Sequence, residues 1–295
     1  MYDDGCGMVT ELYPFSSHYL QLDELRYHYL DEGTGETLLM LHGNPTWSFY
    51  YRNLILGFKN SYRCVVPDHI GMGKSDKPQD YLYTLSQHID NLEKLVDSLN
   101  LSNITLVVHD WGGAIGMGFA VRHPQLVKRL VIFNTAAFLS REIPASLRLC
   151  RLPGFGTIAI RGFNAFARMA TSWACMKQER MTAEVRAGYL EPYNTYSNRV
   201  ATLRFVQDIP MSSNAPSYSV IKNIEDNLKL FKGHPVQLIW GARDFVFNDH
   251  FLQRWREIFP QAEVHRMEDA GHYVLEDSYE KILPLMEEFF NKNPV

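Results

Sequence analysis

The chain is short of the features that mark secreted, membrane-spanning or nucleic-acid-binding proteins. Its 295 residues hold four cysteines, Cys6, Cys64, Cys150 and Cys175, with no Cys-x-x-Cys pair. That spacing argues against a disulfide framework or a zinc site and suggests reduced, mostly buried thiols. No apolar stretch nears the roughly 20 residues of a membrane span. Met1-Tyr2-Asp3-Asp4-Gly5 is acidic where a signal peptide is basic, so a cytoplasmic location is expected. A net charge of −4 without a basic run gives no electrostatic case for nucleic acid. Gly112, Gly113 and Gly116 lack the Rossmann spacing and a phosphate-binding lysine, so no nucleotide cofactor is implied, and no metal either.

What remains is ample apolar material, 46% of residues, with 21% charged, enough for a large core and an inserted subdomain. Tyr19 to Leu22 and Leu25 to Leu30 read as a hairpin turning at Asp23-Glu24. Leu38–Leu41, Cys64–Pro67, Ile104–Val108, Leu130–Phe133, Val236–Trp240 and Glu263–Arg266 read as further strands. Helical patterns such as Tyr83–Leu99 and Ile115–His123 fall between them. Such alternation predicts a mostly parallel sheet covered by helices on both faces. Residues 136–215 interrupt it with helices and turns and no convincing strand. They are expected to form a helical cap domain above the carboxyl ends of the strands, on a core of residues 1–135 and 216–295. Phe163, Phe166 and Met169 recur there at helical spacing, as core packing within the cap or as the lining of an apolar channel.

The most informative segment is Leu106-Val107-Val108-His109-Asp110-Trp111-Gly112-Gly113. An apolar strand ends in an acid and passes at once into a glycine-rich helix, the turn where α/β-hydrolases hold their nucleophile. Here the turn carries a carboxylate instead of serine. A carboxylate is ionised near neutral pH and displaces leaving groups at saturated carbon, forming an ester on the protein. The helix amino terminus should favour that ionised form. The plainer alternative is that Asp110 only caps the helix. Trp240-Gly241-Ala242-Arg243-Asp244 supplies an acid after a later strand, and Asp269-Ala270-Gly271-His272 a histidine before the last helix. The order nucleophile, acid, histidine is that of the hydrolase fold. Asp244 is the expected acid and Asp269 the alternative; a position after the preceding strand falls near Asn134, which cannot ionise. In His42-Gly43-Asn44-Pro45-Thr46, the backbone N–H of Asn44, with that of Trp111, would form an oxyanion hole, each donor worth roughly 3 kcal/mol. The side chains of Asn44 and Trp111 are further donors for a departing anion. His42, His69 and His109 read as structural. Arg52 is expected to pack on the first helix and pair with a carboxylate, and Glu276-Asp277 to open the last helix.

These motifs, with Pro67-Asp68-His69-Ile70-Gly71-Met72-Gly73-Lys74-Ser75, resemble the haloalkane dehalogenase family over nearly the whole chain. The placement of the acid and the Asn plus Trp pair resemble its third subfamily. Asn134-Thr135-Ala136-Ala137-Phe138, Arg161-Gly162-Phe163-Asn164, Ala201 to Pro210 and Ala262 to Arg266 look most like the β-lactone decarboxylases of bacterial olefin biosynthesis. The resemblance implies Asp110, Asp244 and His272 as nucleophile, acid and base, and Asn44 and Trp111 as the clamp for the leaving group. It implies no cofactor and a small apolar substrate. In the decarboxylase branch that substrate is a cis-3-alkyl-4-alkyloxetan-2-one, converted to a cis-alkene and carbon dioxide. Assembly with the thiolase, reductase and β-lactone synthetase of that pathway is implied too. A dehalogenase would instead release halide and hydrolyse its alkyl ester through water activated by His272. An epoxide hydrolase, with Tyr189, Tyr193, Tyr196 or Tyr218 protonating the oxygen, is a third reading. Against it, Asn44 stands where those enzymes carry an apolar residue.

Overall fold

The computed structural model describes residues 11–152 and 154–295; Cys6 and the acidic amino terminus lie outside them. Eight strands, β1 (His18–Leu22), β2 (Leu25–Glu32), β3 (Thr37–Leu41), β4 (Arg63–Pro67), β5 (Ile104–Val108), β6 (Val127–Ile132), β7 (Val236–Gly241) and β8 (Glu263–Met267), form one sheet in the order β1-β2-β4-β3-β5-β6-β7-β8. The β1–β2 hairpin turns at Asp23 and pairs antiparallel; from β4 to β8 every pairing is parallel. The central strands are apolar throughout because both faces are covered. Along β5, Leu106 and Val108 enter the core on one face and Val107 the core on the other. Along β3, Leu39 and Leu41 face the first core, Leu38 and Met40 the second.

The helices are α1 (Arg52–Phe58), α2 (Leu85–Ser98), α3 (Trp111–Arg122), α4 (Ala145–Cys150), α5 (Ala165–Trp173), α6 (Ala183–Leu190), α7 (Val200–Asp208), α8 (Tyr218–Asn227), α9 (Asp249–Ile258) and α10 (Val274–Lys292). Thr84 caps α2 by accepting the Gln87 N–H. Every residue of α3 from Gly112 to Ala120 is buried, so this helix runs through the core directly behind the elbow. Its glycines permit that approach: a Cβ on Gly112 would overlap the Leu41 carbonyl.

Between β6 and β7 the described residues contain α4 to α8 and a π-helical turn at Thr157–Gly162, with no strand. Ile160, Leu203 and Val206 form a small core of their own there, joined by Leu147, Cys150 and Phe166. Helix α8 instead packs on α3, where Ile224 approaches Gly118. Strand register sets Leu41 beside Val108 and Val108 beside Ile132, and Gly241 beside Met267. The loops carrying Asn44, Asp110, Asn134, Asp244 and His272 therefore all leave the sheet at its carboxyl edge, where open α/β sheets bind ligands. No described helix is long and apolar enough to cross a membrane.

Candidate active site

Asp110 sits on the turn from β5 to α3 with φ 50° and ψ −128°, a conformation rare outside glycine. Its backbone is tied at both ends. The N–H donates to the Asn134 carbonyl at 3.0 Å, and the carbonyl accepts from Gly113 N–H at 2.9 Å and from the Thr135 hydroxyl. The Asn44 N–H donates to Oδ1 at 2.7 Å, and the Trp111 N–H at the start of α3 is a second group that favours the ionised carboxylate. Gly43 is required beside it, because a Cβ there would overlap Oδ1. Of the two backbone donors expected to form an oxyanion hole, that of Asn44 thus holds Asp110 itself. Burial raises the Asp110 pKa above the usual carboxylate range, and His272 and the two N–H donors offset only part of that rise. The N–H groups at the elbow lower the value as expected, but desolvation outweighs them and the net shift is upward.

His272 lies in the loop between β8 and α10. Its Nδ1 is 2.7 Å from Asp244 Oδ2, and its Nε2 is 3.7 Å from Asp110 Oδ2. Burial lowers the imidazole pKa, but the Asp244 charge and hydrogen bond, with the Asp110 charge, outweigh it, and the net shift is upward. The other oxygen of Asp244 accepts the Val246 N–H at 2.6 Å. Asp269 is not part of this group: it is a surface residue paired with Lys177 at 2.7 Å. His109 Nε2 lies 2.9 Å from the His272 carbonyl. His42 and His69 bond backbone groups, and burial keeps all three rings neutral.

Three residues hold the site in roles that their sequence context does not signal, among them Asp277, expected only to open the last helix, where it does lie in the first turn. Asn134, noted only as unable to ionise, accepts the Gly241 N–H at 2.7 Å and donates to the carbonyls of Gly241 and Phe247 at 3.1 and 3.3 Å. It fastens the loop bearing Asp244 to the end of β6. Asp277 accepts N–H groups of Gly271, Met176 and Lys177, fixing the His272 loop to the segment after α5. Thr135 braces the elbow. Their only sequence signal was proximity to a strand or helix end.

Asn44, Asp110, Trp111 and His272 share a cavity of about 420 Å³, within the usual range for a small-molecule site. Its walls are apolar. Phe138, Leu147, Leu149, Phe155, Ile160, Phe166 and Met169 contribute, while Leu139, Leu152, Ile158 and Phe163 do not. Asn44 Nδ2 donates to the Thr202 carbonyl of α7 at 3.1 Å. Trp111 Nε1 makes no hydrogen bond among the described residues, and Trp111 lines the cavity. None of Tyr189, Tyr193, Tyr196 and Tyr218 lines this cavity. Tyr189 donates to Glu276, and Tyr193 lies 3.4 Å from the Thr46 carbonyl. An epoxide-opening site therefore lacks its tyrosines.

A carboxylate on a strand-to-helix elbow, facing a histidine held by a second carboxylate under an apolar cavity, defines a class. The chain belongs to the alpha/beta hydrolase fold family, whose model matches residues 36–279. It is 48% identical to a cis-3-alkyl-4-alkyloxetan-2-one decarboxylase of Shewanella oneidensis over 97% of this chain and 91% of that protein. To a protein of the same name from Xanthomonas campestris it is 45% identical, over 90% of this chain and 93% of the relative. Among solved structures it is similar to the haloalkane dehalogenase DatA of Agrobacterium tumefaciens, with a TM-score of 0.84 and 26% identity, covering 94% and 96% of the two chains. The expected likeness to dehalogenases, and within them to the lactone decarboxylases, is borne out.

Proposed function

We propose that this chain is a β-lactone decarboxylase that converts a cis-3-alkyl-4-alkyloxetan-2-one to a cis-alkene and carbon dioxide. The observation that carries the reading is the apolar cavity over Asp110, in a chain nearly half identical to decarboxylases of that name. Asp110 is the nucleophile. With Oδ1 held by the Asn44 N–H, Oδ2 attacks the ring carbon bearing oxygen; that carbon–oxygen bond breaks and the ring opens to a carboxylate. Because the Asn44 N–H holds Asp110, it is not free for an oxyanion at the lactone carbonyl, which favours attack at saturated carbon. The carboxylate moves toward the Asn44 amide and Trp111 Nε1–H. Its bond to the neighbouring carbon then breaks. That electron pair forms the alkene, carbon dioxide leaves, and the ester bond to Asp110 returns its electrons to the aspartate. His272, oriented by Asp244, stabilises the returning carboxylate.

A second reading is favoured by the 3.7 Å gap between His272 Nε2 and Asp110 Oδ2. From there a neutral His272 would activate water against an alkyl ester, the dehalogenase cycle. We further propose that residues 136–215 act as a cap domain forming the cavity roof, supported by their separate small core. We place the protein in the cytoplasm, in keeping with unpaired Cys64, Cys150 and Cys175, and in an assembly with the enzymes that make the lactone.

Incubation with a synthetic cis-dialkyl β-lactone and, separately, with bromoalkanes tests this. Alkene by gas chromatography with little bromide release is the expected result, and D110A should make neither product. Efficient bromide release with an inert lactone would establish the dehalogenase instead.

A further inference from the structure

The cavity reaches the surface between Leu149, Phe155, Met169 and Trp173 on one side and Phe245 on the other, all both cavity-lining and exposed. The stretch that supplies Phe155, Met169 and Trp173 to this mouth carries further exposed apolar side chains. Phe163 is 71% exposed, Ile158 61%, Trp173 58% and Leu152 53%, an apolar crest of the kind that marks an interaction site. Charge is gathered in the same stretch. Residues 141–168 carry Arg141, Arg148, Arg151, Arg161 and Arg168 against one carboxylate, Glu142, in a chain of net charge −4. Arg151 is held by the Val206 and Gln207 carbonyls and Arg161 by Gln79 and the Tyr196 carbonyl, but Arg141, Arg148 and Arg168 are exposed and none is within ion-pair distance of a carboxylate among the described residues, whereas Arg26, Arg52, Arg63 and Arg122 all are.

Exposed aromatic and aliphatic side chains flanked by arginines free of carboxylate partners match the face that peripheral proteins set into an anionic lipid interface. We propose that this crest docks on an anionic bilayer, so that an apolar substrate dissolved in lipid enters the cavity without crossing water. The occupant is lipid because Trp173 belongs both to the crest and to the cavity mouth, and the exposed Arg141, Arg148 and Arg168 are complementary to anionic headgroups. The inference rests on the lactone reading for its purpose, since two alkyl chains partition into a bilayer.

Cosedimentation with vesicles of phosphatidylcholine, alone or mixed equally with phosphatidylglycerol, tests it. The protein should pellet with the mixed vesicles and be released by about 1 M salt, where the screening length falls to about 3 Å. Each arginine at such a surface contributes about fivefold to partition, so R148E with R168E should weaken it at least about 25-fold. L152S with F163S, which leaves the cavity lining untouched, should weaken it at least about tenfold. Equal binding by all variants, or no binding to either vesicle, would overturn the proposal. So would a dimer in sedimentation velocity that L152S with F163S dissociates while vesicle binding is absent, which would assign the crest to a second copy. Alkene formed from detergent-dispersed lactone without vesicle binding ends the docking proposal alone; vesicle binding without alkene ends the lactone reading alone.

Discussion

Mild acid should destabilise this fold through three buried imidazoles. Burial holds His69, His88 and His109 neutral, with His88 pushed down to about 3. In the unfolded chain each takes a proton near pH 6.5. As pH falls below that value, the unfolded state binds three protons that the folded state refuses. Each unmatched proton costs about 1.4 kcal/mol per pH unit, so stability should fall by about 4 kcal/mol per unit. His42 adds a smaller term, because Asp68 opposes its desolvation. His272 works in the other direction: its pKa is raised, so the stability it adds is full below pH 6.5 and is lost as pH rises through the folded value. It leaves the acid slope unchanged. Against a total of about 5 to 15 kcal/mol, such a slope is large. Urea unfolding between about pH 6 and pH 5 reads it directly. H88L removes one of the three protons and leaves no orphaned polar atom, since His88 Nε2 has no partner and the ring stacks on Phe205 at 4.5 Å. The slope should drop by about 1.4 kcal/mol per pH unit. A stability flat over this range, or an unchanged slope in H88L, would refute the reasoning.

E276A strands a buried guanidinium, because Glu276 accepts from Arg52 at 2.5 and 2.8 Å and from the Tyr189 hydroxyl at 2.5 Å. A loss of about 3 to 5 kcal/mol is expected. By calorimetry that is a Tm lower by roughly 10 °C, with most of it recovered in R52M with E276L. N134A frees the loop bearing Asp244, so kcat should fall roughly a hundredfold, as for about 1 Å of misplacement, with KM little changed. H272Q should stall hydrolysis of a bromoalkane as an alkyl ester on Asp110, visible as added mass on the intact protein. An unslowed H272Q would remove His272 from that cycle.

The sheet was legible because its strands are short apolar runs bounded by turn residues, and the ends of each expected strand lie within three residues of the observed ones. The elbow, Asp244 and His272 were legible because this chemistry needs fixed residue types at strand ends in a fixed chain order. What holds those groups was not. Asn134, Asp277 and His109 act through backbone amides and carbonyls distant in sequence, and an amide bond across loops leaves no periodicity to read. Arg52 was expected to pair with a carboxylate, but which one depended on how α10 packs against α1. In the cap, helical spacing could not separate Phe166 and Met169, which line the cavity, from Phe163, which faces outward. That division is set by how α5 lies over the sheet.

Turnover of a cis-dialkyl β-lactone in heavy-oxygen water, followed by mass analysis of the peptide carrying Asp110, tests the central claim most directly. If the ester on Asp110 is resolved by expulsion as the alkene forms, its carbon–oxygen bond breaks on the substrate side. Alkene then accumulates while the Asp110 peptide keeps its unlabelled mass. If water instead attacks the ester carbonyl, each turnover leaves heavy oxygen in Asp110, and a labelled peptide beside an alcohol product would contradict the account.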